Sequence, residues 1–272
     1  MSFTKLKKTS PWRKLSLVTW KKPSDPTVYA WYEFDVTQAL VFIENYNKKN
    51  NTKINLTHLT TKAIALTIAK YPALNGIIKW GNIYKRDSVD IFLQVAIEDK
   101  KDEQYESLSG AKICHADTKS LKDIYQELAL QAEQIRAQKD PRFQKTFRLA
   151  ALLPVWLLRP LVKIHEFAVY NLGINKPGLG LVPDPFGSAM LTSVGSLHTP
   201  PGFPPLVPPS RCPLLMCLGQ VENKPRVVGD EIKIRPIAGI TITFDHRFID
   251  GLIGSKMVKT FMGILEHPED HI

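Results

Sequence analysis

Residues 231–251, EIKIRPIAGITITFDHRFIDG, hold the reading that decides the fold. The run from Glu231 to Phe244 is β-branched and apolar enough for one long strand. Phe244-Asp245-His246-Arg247-Phe248-Ile249-Asp250-Gly251 closes it, just before a helix over about Leu252 to Leu265. A histidine at a strand end stands on a rigid sheet that can aim it into a cleft, and its near-neutral pKa lets it take and return a proton at physiological pH. Asp250, at the helix start, is favoured there by the dipole and can cap free amides. Gly251 permits a tight approach. On spacing alone, a histidine followed by Asp-Gly fits an ordinary strand-to-helix turn as well as it fits catalysis.

Outward from this stretch, SAMLTSV (188–194) and PLLMCLGQV (213–221) read as two further strands. The proline-rich segment between them, PPGFPPLVPP (200–209), is too short and too firmly bracketed to be an interdomain linker. Toward the N-terminus, TVYAWYEF (27–34) is a strand by composition, and Asp35-Val36-Thr37 opens a helix carrying Leu40, Val41, Ile43 and Tyr46. LTHLTTKAIALTIAKY (56–71) marks an amphipathic helix on Leu59, Ala63, Leu66 and Ile68, stopped by Pro72. IIKWGNIYKR (77–86) reads as a hairpin around Gly81-Asn82, followed by a strand over Val89–Ile97. Asp117-Thr118-Lys119-Ser120 starts a helix with Leu121, Ile124, Tyr125, Leu128, Ala132 and Ile135 on one face. Long strands with intercalated helices and no internal repeat predict one α/β domain across 1–272.

The composition narrows the function classes. Hydrophobic residues at 44% and charged ones at 23% exclude general disorder. The net charge of +10 invites a nucleic-acid reading, but the lysines are scattered and no zinc-finger spacing or aromatic RNA-binding signature accompanies them. The excess suits anionic small molecules instead. The three cysteines leave an odd count, and Cys212 and Cys217 lie in an apolar run as small buried hydrophobes. His58, His115, His165, His198, His267 and His271 have no metal-ligand spacing, so no metal site is expected. The N-terminal MSFTKLKKTSPWRKL is basic but lacks an apolar h-region, which points to a cytoplasmic protein.

One region departs from the pattern. From about 141 to 185 lies an insert whose segment 147–162, FRLAALLPVWLLRPLV, is strongly apolar yet carries Arg148, Arg159 and two prolines. Its longest uncharged stretch is shorter than the roughly 20 residues a bilayer requires. Three readings stand: a helical hairpin packed on the domain or on a neighbouring subunit, an interfacial membrane helix, or a greasy lining for a long acyl substrate.

The Asp245-His246-Arg247 run with Asp250-Gly251 resembles the Asp-His-Arg-x-x-Asp-Gly signature of the dihydrolipoamide acyltransferases, the core subunits of 2-oxo acid dehydrogenase complexes. Other motifs recur in the same order. Trp12-Arg13-Lys14 looks like the family's N-terminal basic motif, and residues 56–76 are similar to its helix ending in Pro-x-Leu-Asn. Ser188–Gly195 is similar to its strand and turn, and Ile234-Arg235-Pro236 to its approach to the histidine strand. The resemblance spans roughly residues 10–140 and 186–265.

The resemblance implies a chloramphenicol acetyltransferase-like fold, a mixed β-sheet flanked by helices, here with an apolar helical insert. It implies thioester exchange with His246 as general base, deprotonating the thiol of coenzyme A or of a dihydrolipoyl group. The oxyanion donor would be the hydroxyl three residues before the turn glycine, Thr192, with Ser193 next in line. Asp250 would pair with Arg13, or with Lys14; Asp245, Arg247 and Gly251 would support the site. Homotrimers or higher multiples are implied, with each site shared between subunits, and the basic excess would suit coenzyme A phosphates.

The family usually carries a lipoyl domain and a peripheral subunit-binding module before the catalytic domain. Here the catalytic motifs begin within the first fifteen residues, so a lipoyl group is expected only if supplied in trans. Three functions stay open: a standalone acyltransferase using acyl-coenzyme A, a structural or regulatory partner of a full-length acyltransferase, and a membrane-associated acyltransferase with a lipidic acceptor.

Overall fold

The computed structural model describes residues 10–11, 25–97, 107–137, 153–176 and 181–272. Among them the strands are β1 (Thr27–Asp35), β2 (Gly76–Lys79), β3 (Asn82–Lys85), β4 (Ile91–Ile97), β5 (Ser107–Ile113), β6 (Ala189–Ser193), β7 (Leu214–Val228) and β8 (Glu231–Asp245). The helices are α1 (Thr37–Asn50), α2 (Leu56–Lys70), α3 (Leu121–Arg136), α4 (Val155–Glu166) and α5 (Gly251–Glu266). Six strands form one mixed sheet in the order β1-β8-β7-β6-β4-β5, while β2 and β3 form a separate hairpin. β6 runs parallel to β4 and to β7, and the other neighbours are antiparallel.

Helices α1, α2, α3 and α5 cover one face of this sheet. Alternate residues of the strands meet them, so that Phe34, Leu191 and Ile240 pack with Leu59, Ile64 and Phe261 in a continuous core. The amphipathic pattern expected for α2 is corrected here: the helix is buried around most of its circumference, from His58 to Ile68. It lies inside the helical layer, and most of its buried polar residues find partners, the Thr60 hydroxyl being the exception. Thr61 and Thr67 donate to the carbonyls of Thr57 and Ala63 at 2.8 and 2.7 Å, and the Lys62 ammonium donates to the carbonyls of Asp117 and Lys119 at 2.6 and 2.7 Å.

His58 gives this packing a pH dependence. Its Nδ1 accepts the backbone N–H of Asn55 at 3.1 Å in a capping box, and burial holds its pKa down at about 4 against the ordinary 6.5. The unfolded imidazole takes a proton near pH 6.5 and the folded one not until about 4. Stability is therefore full above pH 6.5 and falls by about 3 kcal/mol as the pH drops to 4, then levels. Urea unfolding across that window checks this, and His58→Gln is expected to flatten the slope.

Strand β5 has no counterpart in the sequence reading. Its SLSGAKI is poor in the β-branched and aromatic residues that mark strands. Gly110 explains part of this: a Cβ there would lie 1.9 Å from the Phe92 ring, so the large residue of the pair sits on β4 and the small one on β5. β7 also runs longer than the PLLMCLGQV reading, to Val228. With β8 it forms two 15-residue strands joined at Gly229, where φ is +62° and glycine is suited. Pairing with β6 ends at Leu218 and pairing with β1 ends at Ile237. Among the described residues the rest pairs with no third strand and makes a two-stranded arm. Cross-strand partners share a face, so Val227 with Ile232 and Pro225 with Ile234 make one side apolar, and Lys224 with Arg235 and Arg226 with Lys233 make the other basic. Val227, Ile232 and Ile234 are 74%, 78% and 77% exposed. Glu33 on β1 holds the basic side through Lys224 at 2.7 Å and through Arg226.

The second face of the sheet carries the proline-rich segment as a strap. Gly219 and Gly239 make room for it: a Cβ on Gly219 would stand 2.4 Å from Pro201, and one on Gly239 3.2 Å. The hydroxyls of Thr241 and Thr243 donate to the carbonyls of Gly202 and Pro204, the second at 2.8 Å. These bonds fasten a segment whose prolines have no N–H of their own to offer.

Candidate active site

His246 follows the last residue of β8 in a turn fixed from several sides. Its backbone N–H donates to Pro26 at 2.8 Å, and Asp245 N–H donates to Pro213 at 2.9 Å. The buried Asp245 carboxylate accepts the Arg247 backbone N–H at 2.9 Å and its guanidinium at 3.0 and 2.6 Å. Phe248 lies against Gly76 of β2, where a Cβ would come within 2.5 Å of its ring. The His246 side chain is exposed and has no hydrogen-bond partner among the described residues. Rigid backbone and free imidazole together suit a proton carrier.

Asp250 caps α5, accepting the Ile253 N–H at 2.8 Å. Arg13 and Lys14, its expected partners, lie outside the described residues. The tight approach expected at Gly251 is corrected: a Cβ there would meet nothing within 4 Å, and its φ is not positive, because the helix start stands open on the protomer surface.

Thr192 and Ser193 are adjacent on β6 and therefore face opposite sides of the sheet. Ser193 faces the helices and accepts a hydrogen bond from Thr57 at 3.3 Å. Thr192 is half-buried on the strap side, in a cross-strand row with Cys217 and Thr241, and its hydroxyl has no hydrogen-bond partner among the described residues. That row also measures its separation from His246. His246 stands five residues beyond Thr241, roughly 17 Å along the strand, and two strands across, roughly 10 Å, so about 20 Å separates the two within one protomer. One chain does not bring the base and the hydroxyl together.

A cleft of about 670 Å³ lies beside the His246 turn, lined by Asp245, Arg247 and Phe248, by Ile78, Trp80 and Gly81 of the β2–β3 hairpin, and by the strap. No sequence pattern singled out its wall residue Arg211. Its guanidinium donates to the Ile78 carbonyl at 3.2 Å and to the Asn171 side chain at 2.9 Å, and stacks 4.7 Å from the Tyr170 ring. It thereby ties hairpin to insert. Among the described residues no cluster of His, Cys, Asp and Glu could hold a metal. Burial pushes the Cys212 thiol up to about 12 and raises Cys217 as well, so neither is a ready thiolate.

The mixed sheet, one-sided helical layer and strand-end histidine define the chloramphenicol acetyltransferase-like architecture. A solved chloramphenicol acetyltransferase superposes with a TM-score of 0.50 at 14% identity, over 89% of each chain. The chain belongs to the 2-oxoacid dehydrogenases acyltransferase (catalytic domain) family, which it matches over residues 15–142 and 187–272. It is similar to the dihydrolipoyllysine-residue acetyltransferase component 2 of the pyruvate dehydrogenase complex of Arabidopsis thaliana, 25% identical over 80% of this chain and 32% of that protein. A solved dihydrolipoamide acetyltransferase from Azotobacter vinelandii, studied for the catalytic roles of a serine, a histidine and an asparagine, superposes with a TM-score of 0.64 at 17% identity. The alignment covers 94% of this chain and 86% of that one. The chain spans about a third to a half of the length of the curated relatives it matches.

Proposed function

We propose that the protein transfers an acyl group between a coenzyme A thioester and a thiol, with His246 as general base. The observation that carries this is the exposed imidazole on a clamped strand-end turn within the family signature, a turn whose Asp245, Arg247 and Phe248 line a cleft large enough for a substrate arm. His246 removes the proton from the attacking thiol, and the sulfur adds to the thioester carbonyl. The tetrahedral intermediate places its negative oxygen at a hydroxyl donor. Collapse breaks the original carbon–sulfur bond, and the departing thiolate takes the proton back from the imidazolium.

Thr192 is the donor we assign, on the strap face of the sheet where Ser193 is not. Because about 20 Å separates it from His246 within a chain, the donor comes from a neighbouring protomer in a trimer. The apolar side of the β7–β8 arm supports such assembly, since it stands unpartnered on one protomer. The Azotobacter protein supports a hydroxyl in this stretch without choosing between the two: its asparagine stands four residues after its histidine, as Asp250 does after His246, and its serine precedes that histidine at nearly the spacing of Thr192 and Ser193. Asp245 with Arg247 holds the turn, and Asp250 positions α5. The net charge of +10 suits the phosphates of coenzyme A.

The protein mixed with acetyl-coenzyme A and free dihydrolipoamide is expected to release coenzyme A faster than the uncatalysed exchange. Release at the background rate with acetyl, succinyl and longer acyl thioesters alike would overturn this reading.

A further inference from the structure

Residues 143–186 separate the two stretches that match the family. Helix α4 lies within them. It has no buried residue, and Trp156 and Ile164 are 74% and 63% exposed. Arg159, Lys163 and Glu166 share one narrow polar sector, His165 stands apart from it, and the remaining side chains, all apolar, cover most of the circumference. A π-turn over Phe167–Asn171 follows, and Phe167 meets Trp80 at the tip of the β2–β3 hairpin, ring edge to ring face at 5.3 Å. The hairpin is itself exposed throughout its second strand, with Trp80 57% and Ile83 59% open and Tyr84 beside them. Beneath these residues the two pieces are locked together. Ile77 packs with Val169 and Tyr170, Tyr170 donates to the Ser210 carbonyl at 3.0 Å, and Arg211 bridges hairpin to insert. The result is one continuous, rigid, aromatic-rich platform.

The charge on that platform selects its occupant. Over residues 76–85 and 155–171 the basic side chains are Lys79, Lys85, Arg159 and Lys163, and the acidic one is Glu166. Two copies meeting through this surface would oppose like charges. Tryptophan and tyrosine have an apolar body with a polar handle, the form that settles at a membrane–water boundary, and lysine and arginine beside them meet anionic headgroups. At 12 residues α4 is about 18 Å long, too short to cross a bilayer, and among the described residues no helix is long and apolar enough to do so. A wide apolar sector with a basic edge is the pattern of a helix that lies in the interface.

We infer that α4 and the β2–β3 hairpin together dock the protein on the surface of an anionic lipid bilayer, with the cleft beside His246 opening at the edge of the docked face. Ile78, Trp80, Gly81 and Asn171 line that cleft as well as the platform. Docking stands independently of acyl transfer, because none of the platform residues is assigned to the chemistry.

The test is co-sedimentation of the full chain with vesicles of phosphatidylcholine, with and without phosphatidylglycerol. The protein is expected in the pellet with the anionic vesicles at low salt and in the supernatant with neutral ones, and added salt should release it. Lys79→Glu with Lys163→Glu is expected to weaken binding by more than about 25-fold, from about fivefold per charge lost. Trp156→Ser with Ile164→Asp should abolish it. Trp156, Lys163 and Ile164 are exposed and Lys79 is half-buried, and circular dichroism establishes that the variants fold. Lys256→Glu with Lys259→Glu, on the exposed side of α5, is expected to leave binding within about twofold. Protein that stays in the supernatant with anionic vesicles overturns the inference. So does equal loss in the α5 variant, which would mean binding by net charge alone. A fall in oligomeric mass on Ile164→Asp would also overturn it, because the platform would then be an interface between copies.

Discussion

His246→Ala is expected to lower kcat for acyl transfer by about 10²–10⁴-fold with little change in KM for the thioester or in Tm. The stability half follows from geometry. The imidazole is exposed and has no hydrogen-bond partner among the described residues, while the turn is held by backbone bonds to Pro26 and Pro213 and by the Asp245–Arg247 pair. Removing the ring therefore leaves the fold intact and removes only the proton carrier. The split between kinetic constants separates this from a structural effect: the loss should fall on kcat while KM and Tm stay near the wild-type values. Asp245→Asn makes the contrast, since it weakens the clamp on Arg247 and should shift Tm along with kcat. A His246→Ala protein that works at the wild-type rate removes the mechanism outright.

Thr192→Ala should cost about 10²–10³-fold in kcat, the usual price of one oxyanion donor. Ser193→Ala should cost little, because that hydroxyl faces the helices and bonds to Thr57. The separation of about 20 Å within one protomer makes a stronger demand. If each site takes His246 from one chain and Thr192 from the next, mixing the two inactive variants must rebuild some intact sites. Random three-fold assembly gives about a quarter of them the correct pair in a head-to-tail ring. Co-refolding His246→Ala with Thr192→Ala should therefore recover about a quarter of wild-type activity from two dead parents. No recovery in a mixed trimer of confirmed stoichiometry would place the donor elsewhere.

The strand ending at Asp245 and the helix after Asp250 were legible in 231–251, because β-branched apolar composition and a capping aspartate are local signals; the fold class needed the order of strands and helices along the chain and the motifs that recur in it. The β2–β3 hairpin was legible too, although its turn falls on Trp80-Gly81, both with positive φ, one residue before the reading. What escaped was written by partners distant in sequence. β5 is a strand because Phe92 covers its glycine, and α2 is buried all round because the sheet and its neighbouring helices enclose it. Arg211 belongs to no motif; only folding brings Ile78, Asn171 and Tyr170 around it. Spacing from the turn glycine put Thr192 ahead of Ser193, and strand parity adds that the two face opposite sides of the sheet.

The long β7–β8 ribbon has a consequence for handling the molecule. A lone subunit offers two open strand edges and a greasy flank at once, the ingredients by which chains add to one another without limit. The opposite flank guards against that outcome, for Lys224, Arg226, Lys233 and Arg235 are paired there with Glu33, Glu222, Glu231 and Asp35, and a second ribbon stacking on it would have to strip water from those charges. Conditions that remove those charges should let the greasy flank prevail and bring the protein out of solution.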